Sequence, residues 1–369
     1  MLTKFCVENF KAFQSRLEFD LGNPGNYEFN MDAINMDEGV ISKAAIYGFN
    51  GCGKSTLGLA IFDIVSSLTD REKGLQDYEP YLNLNNSNER PARFEYYFVF
   101  NGVRVSYIYE KTKVDAFVME SLIIDEKEVL RYDFLKQEGI VTLSGAETLS
   151  LTSDENSISR VKYLRSNAIL KDNRENAAFK AFISFVDNML MFYSLNETRY
   201  RGYRTGQERI PDAIIEAGKL KEFEAFLRKN NVPLTLDEGD FDGKKEIMVR
   251  FNRRFANFYS VASTGTRSLA LFYYWYIKME KASLIFMDEF DAFYHFELAA
   301  NIIRLMRSKK DIQVLFTTHN TDLLSNDLLR PDCYYWLDNG KIKSLNRLTE
   351  KELRKAHNLQ KMFKAGAFS

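Results

Sequence analysis

The string Gly48-Phe-Asn-Gly-Cys-Gly-Lys-Ser55 fits G-x-x-x-x-G-K-[ST] without departure, and it commits the chain to a strand, a tight glycine turn and a helix in immediate succession. Glycines at 48, 51 and 53, with Asn50 between them, let consecutive backbone N–H groups turn inward around a phosphate at the positive end of the following helix. Lys54 is placed to reach the outer phosphate oxygens, Ser55 to give its hydroxyl to magnesium, and Thr56 is expected with them among the nucleotide-binding residues. The flanks agree with this reading. Ile41 to Tyr47 has the composition of a short buried strand, and Leu57 to Leu68 carries Leu57, Leu59, Ala60, Ile61, Ile64, Val65 and Leu68 at the spacing of a buried helix.

Three later strings complete one mechanism. Ser283-Leu-Ile-Phe-Met287 is an apolar strand ending in Asp288 and Glu289. There Asp288 can hold magnesium and Glu289 can orient and deprotonate a water. His319 follows the β-branched run Val314 to Thr318 and is placed to contact a γ-phosphate. Ser263-Thr-Gly265-Thr precedes a helix expected over Arg267 to Met279, so the Ser hydroxyl, the Gly N–H and the helix start form an anion site. That site lies too far from the phosphate loop to serve the same nucleotide. Its use therefore implies a head-to-tail pair closing over two ATP molecules, with Asp291 in the loop where opposed subunits sense each other.

The remaining sequence sets the frame. Apolar residues make up 45% of 369, ample for a buried core, and the formal net charge of −1 pulls the chain toward neither nucleic acid nor an anionic membrane. The first dozen residues are broken by charges, unlike a signal peptide, and no apolar run reaches the roughly 20 residues that span a bilayer. Cys6, Cys52 and Cys333 lack metal-ligand spacing and read as reduced thiols, so a cytoplasmic protein without a membrane partner is expected.

Strands are expected at Leu2 to Val7 and Leu17 to Phe19, then at Arg93 to Phe100 and Val103 to Tyr109 around an Asn101-Gly102 turn, then at Phe117 to Ile124. From Asp125 the reading changes to helix, with Ala177 to Leu195 the most apolar piece and Pro211 to Asn230 amphipathic. The expected division is 1–124 for the first half of a nucleotide-binding head, 125–240 for a mainly helical insertion, and 241–369 for the second half.

The signature, the Asp288-Glu-x-Asp-x-x-x-His295 string, the Thr-Thr-His-Asn320 string and the opening Glu8-Asn-Phe-Lys-Ala-Phe13 together resemble the bacterial AAA15/AAA21 group of ABC-type ATPases. That group is related to the heads of Rad50, RecF and the overcoming-lysogenization-defect proteins. The resemblance covers about 1–110 and 245–350, with a tail at Leu359 to Ala367. It departs at Phe296, where the group often has proline, and the Q-loop glutamine has no placed counterpart. It implies an α/β fold, an ABC-type P-loop head with a mixed sheet and an antiparallel β lobe, plus an inserted helical lobe. It also implies ATP and Mg²⁺ as ligands, hydrolysis, and a homodimer or higher homo-oligomer through the heads. The chain ends about 50 residues after His319, which leaves no room for the nuclease of the overcoming-lysogenization-defect relatives. The expected effector is thus a separate protein, in a setting of anti-phage defence. The alternative is a RecF-like DNA-repair ATPase, for which Arg199-Tyr-Arg-Gly-Tyr-Arg204 offers cations interleaved with aromatics.

Overall fold

The computed structural model describes residues 1–71, 78–86, 90–152, 156–193, 199–202, 209–241 and 243–368, with the side chains of 199–202 and 241 left aside. The chain opens with β1 (Leu2–Glu8) and β2 (Leu17–Asp20), crosses a small pair, β3 (Ile34–Asn35) and β4 (Val40–Ile41), and runs through β5 (Lys43–Tyr47) into α1 (Lys54–Leu68). Five strands follow: β6 (Ala92–Phe100), β7 (Val103–Lys113), β8 (Ala116–Ile124), β9 (Lys127–Asp133) and β10 (Glu138–Val141). Then come α2 (Arg160–Asn167), α3 (Arg174–Asp187), β11 (Leu190–Tyr193), β12 (Arg199–Gly202), α4 (Ile210–Glu216) and α5 (Leu220–Lys229). The last third holds β13 (Leu236–Phe241), β14 (Lys244–Phe251), β15 (Arg254–Asn257), α6 (Phe258–Val261), α7 (Thr264–Lys278), β16 (Leu284–Asp288), α8 (Phe296–Arg307), β17 (Gln313–Thr317), β18 (Tyr334–Asp338), β19 (Lys341–Ser344) and α9 (Leu359–Lys364).

These elements form a mixed sheet and an antiparallel lobe. The mixed sheet has the order β12-β11-β16-β17-β5-β18-β19, parallel from β11 to β18 with an antiparallel strand at each edge. The antiparallel lobe has the order β10-β9-β8-β7-β6-β1-β2. Between them lies α1, buried from Leu57 to Leu68, as expected of a helix apolar on all sides. It approaches the mixed sheet closely at Gly58, where a Cβ would stand 2.6 Å from both Met191 and Phe286 side chains. On its other side the Tyr96 hydroxyl donates to the Ala60 carbonyl at 2.8 Å. A buried ion pair, Lys111 Nζ to Asp63 Oδ2 at 2.7 Å, ties α1 to β7.

Two sequence expectations are corrected. The stretch from Asp125, expected to be mainly helical, begins with β9 and β10, which extend the antiparallel lobe by two strands. Short strands with turn residues between them, such as the Asp125-Glu126 turn at positive φ, leave little trace in an apolar pattern. The expected apolar helix from Ala177 to Leu195 is also divided. It ends at Asp187, with Asn188 as its cap, and Leu190–Tyr193 becomes a parallel strand beside β16. A short, continuous apolar run fits a buried strand as well as a buried helix, and the partner strand decides between them.

A second core holds Ile214, Phe223, Leu227, Leu236, Ile247, Val249, Phe258, Leu269 and Tyr273. It joins α4, α5, the three-stranded sheet β13-β14-β15 and α7. Helix α7 is shared between the two cores, with Leu269, Ala270 and Tyr273 in this one and Phe272, Tyr274 and Trp275 in the main one, and Tyr294 and Leu298 packed against both. Among the described residues no helix is long and apolar enough to cross a membrane. The Arg199 to Arg204 stretch singled out from the sequence lies outside the described side chains.

Candidate functional site

Parallel strands β16, β17 and β5 lie side by side, and their carboxyl ends open on one crevice, the place where open α/β sheets bind ligands. Each end delivers one sequence motif: Gly48 from β5, Asp288 and Glu289 from β16, His319 from β17. The resulting cavity, about 440 Å³, is lined by Asn50, Gly51, Gly53, Lys54, Ser55, Thr56, Leu59, Tyr193, Asp288, Glu289 and His319. Gly53 takes φ +106 to turn the chain into α1, a conformation that residues with a Cβ adopt only with strain.

Lys54 is buried, and its Nζ donates to the carbonyls of Gly48 at 3.0 Å and Phe49 at 3.2 Å. It also lies 3.6 Å from Glu289 Oε1 and 3.4 Å from His319 Nδ1. The same Glu289 oxygen meets His319 Nε2 at 2.8 Å. Glu289 sits at φ +47, uncommon for a residue with a side chain and concentrated at functional sites. Its N–H donates to Thr317 Oγ1 at 2.7 Å, and that hydroxyl donates to Asp288 Oδ1 at 2.8 Å. Thr317 therefore fixes both acids from the neighbouring strand, a role the sequence reading did not give it.

Burial pushes the Asp288 carboxyl above its usual range, against the pull of hydrogen bonds from the Ser55 and Thr317 hydroxyls. Burial likewise raises Glu289, opposed by His319 and Lys54, and raises Asp291, opposed by hydrogen bonds to Thr318 and Asn320. A hydroxyl bonded to a buried carboxylate is an all-oxygen donor pair. It suits magnesium, which takes one or two carboxylates and completes its shell with water and phosphate. Among the described residues no cluster of three His, Cys, Asp or Glu forms a cage for a softer metal.

The buried acid has a consequence for stability. An acid whose folded pKa is raised favours the protonated form in the native state, so it costs stability as pH rises through the folded pKa and costs nothing below the unfolded pKa. In metal-free buffer Asp288→Asn should therefore melt above the wild type at neutral pH. The gap should close toward pH about 4, the unfolded carboxylate range. Scanning calorimetry across that range reads the crossover.

Ser263 N-caps α7, its Oγ accepting from the Thr266 N–H at 3.2 Å. Gly265 is pressed against the loop after Glu289, so that a Cβ there would stand 2.7 Å from the Phe293 carbonyl oxygen. The Ser268 and Tyr294 hydroxyls meet at 2.9 Å. Neither Ser263, Gly265 nor Asp291 lines the cavity around Lys54. The structure thus gathers Asn50, Gly51, Gly53, Lys54, Ser55, Thr56, Asp288, Glu289 and His319 at one place, with Asp291 beside them at Thr318 and Asn320, while Ser263 and Gly265 lie outside the cavity.

Tyr193 and Leu59 line the cavity without having been singled out in the sequence. Tyr193 reaches it because β11 pairs with β16 so that Tyr193 stands opposite Asp288. Its only sequence signal was Asn188, a helix end before four apolar residues.

The profile of a family described as AAA domain, putative AbiEii toxin, Type IV TA system matches residues 43–325. Among solved structures the chain is similar to the SMC head domain from Thermotoga maritima, at 16% identity over 93% of this chain and 97% of that chain, with a TM-score of 0.45. It is also similar to an SmcHead bound to the C-winged helix domain of ScpA, at 15% identity over 94% of this chain and 98% of that chain, with a TM-score of 0.46. No match was found among curated proteins.

Proposed function

We propose, from the premise that the chain belongs to the AAA domain family described as putative AbiEii toxin, Type IV TA system, that it binds ATP with magnesium, hydrolyses it, and closes head to tail with a second copy while ATP is held. The observation that carries this reading is the convergence of Lys54, Glu289 and His319 within 3.6 Å of one another beside the Ser55–Asp288 pair.

In this arrangement the loop N–H groups from Asn50 to Ser55 and the Lys54 amine hold the phosphates, and Ser55 with Asp288 would hold the metal. Magnesium, when bound, neutralises phosphate charge that would otherwise oppose attack. Glu289 takes the proton of the attacking water, and its raised pKa brings it nearer the operating pH of a general base. His319, bonded to the same Glu289 oxygen, fixes the direction of that carboxylate. Because Ser263 and Gly265 stand apart from the cavity, a second chain supplies them across a two-fold interface.

The family's description, a putative toxin of a type IV TA system, supports a setting in which ATP-driven closure acts through another component. Control of a separate effector in anti-phage defence is the setting we favour, with the 125–240 segment transmitting the change. The RecF-like alternative is favoured if DNA stimulates hydrolysis.

Mixing two inactive variants tests the composite site. Lys54→Ala and Ser263→Arg should each be inactive alone. An equal mixture should regain about a quarter of wild-type turnover, since half the dimers are mixed and each of those has one intact site of two. A mixture as inactive as its components rejects the trans signature.

A further inference from the structure

We infer that the β14–β15 hairpin is a binding finger for single-stranded nucleic acid, set directly before the signature. All residues from Arg250 to Phe255 are exposed. Phe251 and Phe255 show 50% and 55% of their surface to solvent, an unusual cost for two rings so close together. Cross-strand pairing places Arg250 opposite Phe255 and Phe251 opposite Arg254. Successive residues point to opposite faces of a strand, so each face of the ribbon carries one ring beside one guanidinium. The turn between them, Asn252-Arg253, has Asn252 at φ +53 and adds a third arginine to the tip.

The charges divide by position. Away from the tip, Lys245 is paired with Glu238 at 3.4 Å and Arg250 with Asp237 at 3.2 Å. At the tip, Arg253 and Arg254 form no ion pair among the described residues. A polyanion is therefore the occupant the tip fits. An exposed ring on each face favours one with unpaired bases to stack, since aromatic stacking with cationic phosphate contacts is how single strands are held. An acidic protein would meet the arginines but leave the rings without a partner. Strand β15 runs through α6 directly into Ser263, so a ligand on the finger would bear on the element that caps α7.

Fluorescence anisotropy of labelled single-stranded DNA and RNA, without nucleotide, tests this separately from any ATPase activity. The wild-type chain should bind with a Kd of roughly 1–100 µM at physiological salt. Arg253→Ala with Arg254→Ala should weaken binding and lower the slope of log affinity against log salt by about 1.4, two lost phosphate contacts at ~0.7 each. Phe251→Ala with Phe255→Ala should cost roughly tenfold per ring and leave the slope unchanged. The substituted side chains are exposed, and unaltered melting curves confirm folding. Absence of wild-type binding, binding that both double variants retain in full, or stronger binding of poly-glutamate than of the oligonucleotides overturns the inference.

Discussion

Glu289→Gln should lower ATP turnover about 10²- to 10⁴-fold while leaving ATP bound and the two heads closed. The substitution removes the carboxylate proposed to accept the water's proton and keeps the shape of the site. Glutamine retains an oxygen for the 2.8 Å contact with His319 Nε2. The backbone at φ +47 stays held by the bond from its N–H to Thr317 Oγ1. Lys54, Ser55 and Asp288 are untouched, so affinity for magnesium ATP should persist. Light scattering on a sizing column should then show the mass double only when magnesium ATP is present. Bound nucleotide with unchanged mass would reject ATP-gated pairing of heads. Undiminished hydrolysis would instead remove Glu289 from its role as base.

Lys111→Met should destabilise the chain by about 3–5 kcal/mol, the cost of leaving a buried carboxylate without its cation. Lys111 Nζ donates to Asp63 Oδ2 and to Ser67 Oγ, each at 2.7 Å, and both ionic side chains are fully removed from water. Asp63 also accepts from the Tyr109 hydroxyl at 2.7 Å and the Tyr81 hydroxyl at 3.1 Å. Lys111 and Tyr109 of β7 and Tyr81 thus converge on one carboxylate of α1, in the layer between that helix and the antiparallel lobe. Adding Asp63→Asn removes the stranded charge and keeps an oxygen for the tyrosines, so the double variant should recover most of the loss. Urea unfolding of the two variants reads the difference. A single variant as stable as the wild type would reject a stabilising role for the Lys111 contact.

The sequence showed the chemistry more fully than the architecture. Every residue of the phosphate loop, both acids and His319 were legible because each chemical role admits few residue types at a fixed offset from a strand or helix end. The hairpin at Asn101-Gly102 was legible for a similar reason, a turn that few dipeptides adopt; it joins β6 and β7. Strands β9, β10 and β11 were not. Their short runs fit helix or strand equally, and what settles each is a hydrogen-bonded neighbour distant in sequence, such as Asp288 for Tyr193.

The sequence alone therefore determined which groups are candidates to bind phosphate, hold a metal and take a proton, because those properties belong to single residues and their immediate spacing. Tertiary structure alone decided that β16, β17 and β5 lie adjacent and bring residues 54, 289 and 319 within 3.6 Å of one another. It also decided that the signature, at the start of a helix shared between two cores, lies outside that cavity. Strand order and helix seating are set by long-range pairing and by burial of shared apolar surface, and these are properties of the whole chain that no local string carries.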